Sequence, residues 1–261
     1  MSVRLPAVAG LFYPDDARAL RKVVRDYLEA RPTAAIVPKA IIAPHAGYEY
    51  SGPVAGSAYA VVELARGTIT RVVLVGPSHR VAFKGLALPS VTHFSMPLGE
   101  IPIDQEAIAR IRALPQVTFA DAVHASEHSL EVQLPFLQVA LGHFTLVPLV
   151  AGEASPSEVA EVLEQLWGGP ETLIAVSSDL SHYHDYVTAH RMDAATSAAI
   201  EALRGEDIGE DDACGCVPVA GLLLAARRLG LSARTLDVRN SGDTAGPRDR
   251  VVGYGAYVLQ R

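Results

Sequence analysis

Cysteine is almost absent from this chain. Its 261 residues include two, Cys214 and Cys216, with a single glycine between them. That spacing is too close for ordinary bridge geometry, so no disulfide framework is expected and both thiols are read as reduced. Positive charge is also scarce. Lys and Arg total 22 against 29 Asp and Glu, the formal net charge is −7, and the two signs are interspersed. No basic stripe is available to neutralise a phosphate backbone, so nucleic acid is not an expected partner. Long apolar runs are missing too. The run "VAGLLLAA" from Val219 falls far short of the roughly 20 residues that span a bilayer. The N-terminal "MSVRLPAVAGLFYPDD" has too short an apolar core for a secretion signal. A cytoplasmic protein without membrane partners is the expectation. Low-complexity linkers and internal repeats are lacking as well, and residues 1–261 read as one domain.

Several catalytic signatures are absent. No G-x-x-x-x-G-K-[ST] or H-E-x-x-H occurs, and "GPSHR" lacks the last glycine of a nucleophile elbow. The C-x-C pair has neither redox spacing nor a second pair for structural zinc.

What is present is apolar and periodic. Hydrophobic residues make up 49% of the chain, ample for a core. Short runs rich in Val, Ile and Leu predict strands over 40–43, 71–75, 85–88, 144–150, 172–177, 233–238 and 251–258. Amphipathic stretches between them predict helices over 15–30, 53–65, 104–113, 129–141, 156–167, 186–203 and 217–229, with start signals such as Ser155 before Pro156 and stop signals such as Gly142 and Gly230. Continuous apolar strands alternating with helices imply an α/β fold. Its central sheet is mainly parallel or mixed, with helices on both faces and the last two strands antiparallel at an edge.

In such a sheet, ligands bind outside the carboxyl ends of the strands. Three predicted strands run into polar groups there. "AIIAPH" delivers His45, "RVVLVGPSH" delivers His79, and "LIAVSSDLSHYH" delivers Asp179, His182 and His184. "HASEHSLEVQLPF" adds Glu127 and His128 at a predicted helix start, and "DDACGCVP" places Cys214 and Cys216 ahead of another. A helix N-terminus favours a thiolate. One histidine after a strand ordinarily serves a turn, but repetition at three strand ends points to a metal site of two histidines with a cysteine or carboxylate. Tyr48 and Tyr50 could face a phenolic ligand or simply pack. His93, His143 and His190 have no comparable company, and Asp121 and His124 fit the pattern too loosely to assign.

These blocks, from "AGLFYP" and "IIAPHAGYEYSGPVAGSAY" through "VVLVGPSHR", "SEHSLEVQLPFLQ", "VSSDLSHYHDY" and "CGCVPV" to "NSGDTAG…RVVGYGAY", resemble the Memo-like family, also labelled AmmeMemoRadiSam system protein B. The resemblance implies the fold of the ring-opening extradiol dioxygenases. It places His45, His79 and Cys214 at the metal-ligand positions, with Asp179 and His182 in the same pocket and Glu127, His128 and Tyr48 nearby. Fe(II) is the implied metal, with copper or zinc as alternatives. In the ring-opening enzymes the third ligand is a glutamate, so Cys214 is a departure toward a softer donor. His182 would act as acid or base and Asp179 would orient it. The implied function is an oxygenase or other redox enzyme acting on a small aromatic or phenolic molecule. The alternative is a metal-binding or partner-binding protein whose site no longer turns over, and a third reading makes Cys214 a hydrolytic nucleophile. The family label implies association with radical-SAM and AMMECR-type proteins.

Overall fold

A computed structural model describes residues 2–30 and 37–261. Along the chain run β1 (Val3–Arg4), α1 (Ala17–Glu29), β2 (Ala40–Ala43), α2 (Tyr48–Glu63), β3 (Arg71–Pro77), β4 (Leu86–Leu88), β5 (His93–Met96) and β6 (Gly99–Pro102). Then come α3 (Gln105–Ile111), β7 (Val117–Phe119), α4 (Asp121–Ala125), α5 (Leu134–Leu141), β8 (Thr145–Ala151), α6 (Pro156–Leu166) and β9 (Thr172–Ser177). The last elements are β10 (His182–His184), α7 (Tyr186–Glu201), α8 (Cys216–Arg228), β11 (Ser232–Asn240) and β12 (Val251–Gln260).

The main sheet has the order β10-β12-β2-β9-β3-β8-β4-β7, with β11 also paired to β12. At its centre β2, β9, β3 and β8 are parallel. Apart from the first residues of β3 and β8, every residue of these four strands is buried. That is why they read as unbroken apolar runs rather than alternating ones. β12 is antiparallel to β2, and β11 is antiparallel to β12, as expected of the last two strands. The mixed α/β class inferred from the sequence is the one observed.

Strand alternation on β12 shows how the helices are layered. Val258 packs on Val61 of α2, whereas a Cβ on Gly253 would meet Asp193 of α7 and the Tyr257 hydroxyl reaches Ser197 of α7. Even and odd positions face opposite sides of a strand, so α2 and α7 cover opposite faces.

Two helices begin elsewhere than their patterns predict. α2 starts at Tyr48 and carries Pro53 inside it; the extra turn is tied down by the Tyr48 hydroxyl, which donates to the Val132 carbonyl at 2.8 Å. The predicted helix from Ser129 instead opens as a 3-10 turn over Glu131–Gln133, and α5 begins at Leu134 with Pro135 in its first turn. Proline lacks an N–H and is accommodated where that donor has no helical partner. The small sheet β1-β5-β6 had no counterpart in the sequence pattern, because strands of two to four residues carry too little periodicity.

Candidate metal centre

Because β2, β3 and β9 are parallel, their carboxyl ends share one edge, and the chain delivers His45, His79 and Asp179 there within two residues of each strand. Ligand atoms of His45, His79 and His128 all lie within 4.8 Å of one another. The rings pack at centroid distances of 5.1 Å for His45–His79, 5.5 Å for His45–His128 and 4.6 Å for His79–His128. His45 is buried, His128 half-buried and His79 exposed, so the group opens to solvent on the His79 side. This is a group of three histidines that can hold a metal ion.

The surrounding hydrogen bonds set the tautomers. Ser177 Oγ donates its one hydrogen to the Ser129 carbonyl at 2.6 Å and accepts from Gln133 Nε2 at 2.8 Å. Its contact of 2.7 Å with His45 Nδ1 must therefore be donated by the ring. That leaves a lone pair on His45 Nε2, and burial holds His45 neutral by pushing its pKa well below the usual histidine range. His79 Nδ1 lies 2.9 Å from Glu127 Oε1 and the His79 backbone N–H donates to Glu127 Oε2 at 2.6 Å. Burial alone would raise the Glu127 carboxyl, but bonds from the His79 ring and backbone and from Ser129 N–H outweigh it and hold the pKa at about 2. An ionised carboxylate only accepts, so His79 keeps its proton on Nδ1 and presents Nε2. A carboxylate behind a histidine in this way orients metal ligands and raises their basicity.

The donors suit a metal. His128 Nδ1 is sealed from solvent without a hydrogen-bond partner, although Glu127 Oε1 stands 3.4 Å away. Burial lowers the His128 pKa, favouring the neutral ligand form. Cys214 lies outside the mutual 4.8 Å set, yet its Sγ is 3.4 Å from His45 Nε2. Nitrogen and thiolate donors sharing one metal at about 2.1 and 2.3 Å stand roughly 3.1–3.6 Å apart for bond angles from 90° to tetrahedral. The observed separation falls in that range.

Cys214 reaches His45 because of Gly215. A Cβ there would lie 2.7 Å from Ser178 Cβ and 2.8 Å from the Ser177 carbonyl oxygen, so glycine alone lets the start of α8 close onto the end of β9. Gly215 N–H then donates to Ser178 Oγ at 2.9 Å. The helix start does not deliver a thiolate by itself. Burial and the charge of Asp179 push the Cys214 thiol up to about 12, against bonds from Asp179 N–H and Ser178. Desolvation of the anion exceeds what the helix terminus returns, and Cys214 is a thiol beside a neutral imidazole until a cation displaces its proton. An activated Cys–His nucleophile needs the opposite charge state, so the hydrolytic reading loses its support.

Asp179 is buried and accepts from His45 N–H at 2.7 Å. Burial raises its pKa, opposed by that bond. His182 opens β10, which pairs antiparallel with the start of β12. Tyr48 is 3% exposed with its hydroxyl spent on Val132. It lines a groove with Phe12, Tyr13, Tyr27 and Tyr50, and Phe12 packs 4.9 Å from the His128 ring. Cys214 and Cys216 line a separate cleft of about 790 Å³ with Ser78, Phe83, Lys84 and Glu153, so Cys214 stands between the histidines and that cleft.

Sequence reasoning passed over the parts that hold this centre in place. Arg4 donates to the carbonyls of His124 and Glu127 and to Glu131, each at 2.7 Å. Glu131, wholly buried, also accepts from Ala7 N–H, Val8 N–H and the Tyr13 hydroxyl. The N-terminal segment thereby clamps the stretch that carries Glu127 and His128. Ser177 and Gln133 were equally unmarked. The signal available was a buried polar residue inside an apolar pattern, as in "SLEVQLPF".

Comparison with known proteins identifies the family and the fold. The profile of the Memo-like protein family matches residues 4–258. A MEMO1 family protein of Aquifex aeolicus is 36% identical, the match covering 97% of this chain and 98% of that one. Another, of Methanopyrus kandleri, is 34% identical over 99% of both. Among solved structures, an uncharacterized protein of Escherichia coli K12 shares the fold with a TM-score of 0.52 at 12% identity, covering 84% of this chain and 98% of that one. No helix among the described residues is long and apolar enough to cross a membrane.

Proposed function

We propose, since the chain belongs to the Memo-like protein family, that it is a cytoplasmic metal-dependent redox protein. In this reading His45, His79 and Cys214 hold Fe(II), with His128 as a further donor, and the substrate is a small phenolic molecule. The observation that carries the proposal is a group of three imidazoles within 4.8 Å of one another, one of which, His45, has its Nε2 3.4 Å from the Cys214 sulfur. Bound Fe(II) would supply redox chemistry with O2.

The chain's own residues do the rest. Ser177 and Glu127 hold the two leading imidazoles with Nε2 unprotonated, so no proton need leave them when a cation enters. Cys214 must lose its proton, which makes affinity rise with pH. Asp179 and His182, at the end of β9 and the start of β10, form the proton-handling side of the site. A second reading, metal binding without turnover, rests on the donor set itself, because a sulfur ligand replaces the carboxylate of the ring-opening enzymes. Association with radical-SAM and AMMECR-type proteins belongs to the same proposal and is checked by co-purification.

Anaerobic Fe(II) titration of the parent and of His45→Ala, His79→Ala, His128→Ala, Cys214→Ala and Cys216→Ala tests the ligand set. The expected order is large losses for His45, His79 and Cys214, a smaller loss for His128 and none for Cys216. Equal affinity in Cys214→Ala and the parent removes Cys214 from the site. O2 uptake by the loaded protein with a panel of catechols then decides between the two readings, since a loaded protein that consumes none is the non-catalytic one.

A further inference from the structure

Five tyrosines of this chain are buried to 3% exposure or less: Tyr13, Tyr48, Tyr59, Tyr254 and Tyr257. A buried phenol ordinarily spends its hydroxyl on a partner, because an unpaired one loses its water for nothing. Four of the five do so. Tyr13 donates to Glu131, Tyr48 to the Val132 carbonyl and Tyr59 to Gln133 Oε1, while Tyr257 pairs with Ser197 Oγ at 2.8 Å. The Tyr254 hydroxyl has no hydrogen-bond partner among the described residues. Among the described residues, the side-chain polar atoms both sealed and unpartnered are His124 Nδ1, His128 Nδ1, Gln138 Oε1 and Ser181 Oγ. Tyr254 Oη is not one of them, so it keeps contact with open space although the residue is only 2% exposed.

The backbone shows where Tyr254 lies. Leu180 N–H donates to the Gly253 carbonyl and Gly253 N–H to the Ser181 carbonyl, each at 2.8 Å. These bonds clamp β12 to the turn after β9 and set Tyr254 beside Asp179. By alternation along β12, Tyr254 faces the α2 side, where Tyr50 stands in the first turn of α2, a short way along the chain from His45. The next residues along the β9 turn are also unusual. Tyr183, between His182 and His184, has φ +62° and is 64% exposed, with the Arg250 guanidinium 5.1 Å from its ring centroid. A bulky residue in the left-handed region is strained, and such residues collect at sites of ligand contact.

We infer that Tyr254 is a ligand-contacting residue of the metal centre, donating a hydrogen bond from Oη to an oxygen of the small molecule that enters beside Asp179. The class of ligand is an oxygen acceptor, a phenolate, carboxylate or carbonyl, because a neutral phenol next to a buried carboxylate offers a donor. Burial first, then the charge of Asp179 and the phenols of Tyr50 and Tyr183, raise the Tyr254 pKa, which keeps that donor protonated. The inference rests on the metal-site reading above.

The test uses the full chain loaded anaerobically with Fe(II), as parent and as Tyr254→Phe, with 4-nitrocatechol as the probe. Calorimetry first measures Fe(II) affinity, and visible absorption then follows the probe. The expected result is equal Fe(II) affinity, an unchanged unfolding midpoint, and probe affinity about five- to tenfold weaker in Tyr254→Phe, the worth of one hydrogen bond. Equal probe affinity in the two proteins overturns the role of Tyr254 and leaves the metal site standing. A loaded parent that takes up no probe also overturns it. A parent that holds no Fe(II) overturns the metal-site reading, and this inference with it. A lowered unfolding midpoint in Tyr254→Phe assigns the hydroxyl to the fold instead, again against the inference.

Discussion

The two walls of the metal centre are built on different principles. On the wall formed by β2, β3 and the 124–133 stretch, the groups behind the histidines are committed. Ser177 and Gln133 stand behind His45, Glu127 behind His79, and Arg4 with Glu131 behind the stretch itself. On the opposite wall, formed by the turn after β9 with the starts of α8 and β12, the polar groups keep capacity in hand. Cys214 remains a thiol, Asp179 is raised by burial, Tyr183 is strained and exposed, and Tyr254 Oη is unspent. Committed hydrogen bonds fix donor geometry, whereas unspent groups can meet a ligand or move a proton. One wall is committed and the other keeps capacity to bind.

That contrast is broken most strongly by Arg4→Ala. It strands the Glu131 carboxylate, whose side chain is fully buried, and removing one partner of a buried ion pair costs about 3–5 kcal/mol. Denaturant unfolding should show that loss without bound metal. Next comes Glu127→Gln, which keeps the shape of the prop behind His79 and removes its charge. Metal affinity should fall about 10–100-fold, read by anaerobic titration.

Glu127 also gives a pH test with a definite sign. Its folded pKa, about 2, lies below the ordinary glutamate value of 4.5, so its stabilisation is fully present above about pH 4.5 and is lost as pH falls through about 2. Thermal unfolding across that window should drop less steeply in Glu127→Gln than in the parent. A parallel slope would mean that the carboxylate is not held as the structure places it.

Ser177→Ala should have a smaller effect, about tenfold in metal affinity, at the low end of what an orienting partner contributes. It removes the acceptor that keeps the proton of His45 on Nδ1 and leaves Gln133 Nε2 with its contacts to the Ala43 and Pro44 carbonyls. The smallest effect sharpens the contrast between spent and unspent phenols. Tyr257→Phe gives up the bond to Ser197 and should cost about 1 kcal/mol, while Tyr254→Phe should leave the unfolding midpoint where it was.

Much of this protein was legible in its sequence. Apolar runs of period two or none, set between amphipathic helices, determine a mixed α/β sheet, because each element has to bury one face and the strands at the centre bury two. The positions of His45, His79 and Asp179 follow from the same pattern, since residues after parallel strands must gather at one edge. Tertiary structure alone decided what those residues became. His128 joins His45 and His79 only because Arg4 and Glu131, more than 120 residues apart, fasten the chain's beginning to the stretch that carries it. Cys214 is a thiol and not the thiolate that its place before a helix suggested, because burial opposes the anion by more than the local backbone favours it. Tyr48 and Tyr254 look alike in the sequence, and their difference lies in whether the folded chain offers a carbonyl to the hydroxyl. Strand and helix follow from local spacing, whereas charge state and hydrogen-bond satisfaction depend on which distant groups arrive and on how much water they exclude.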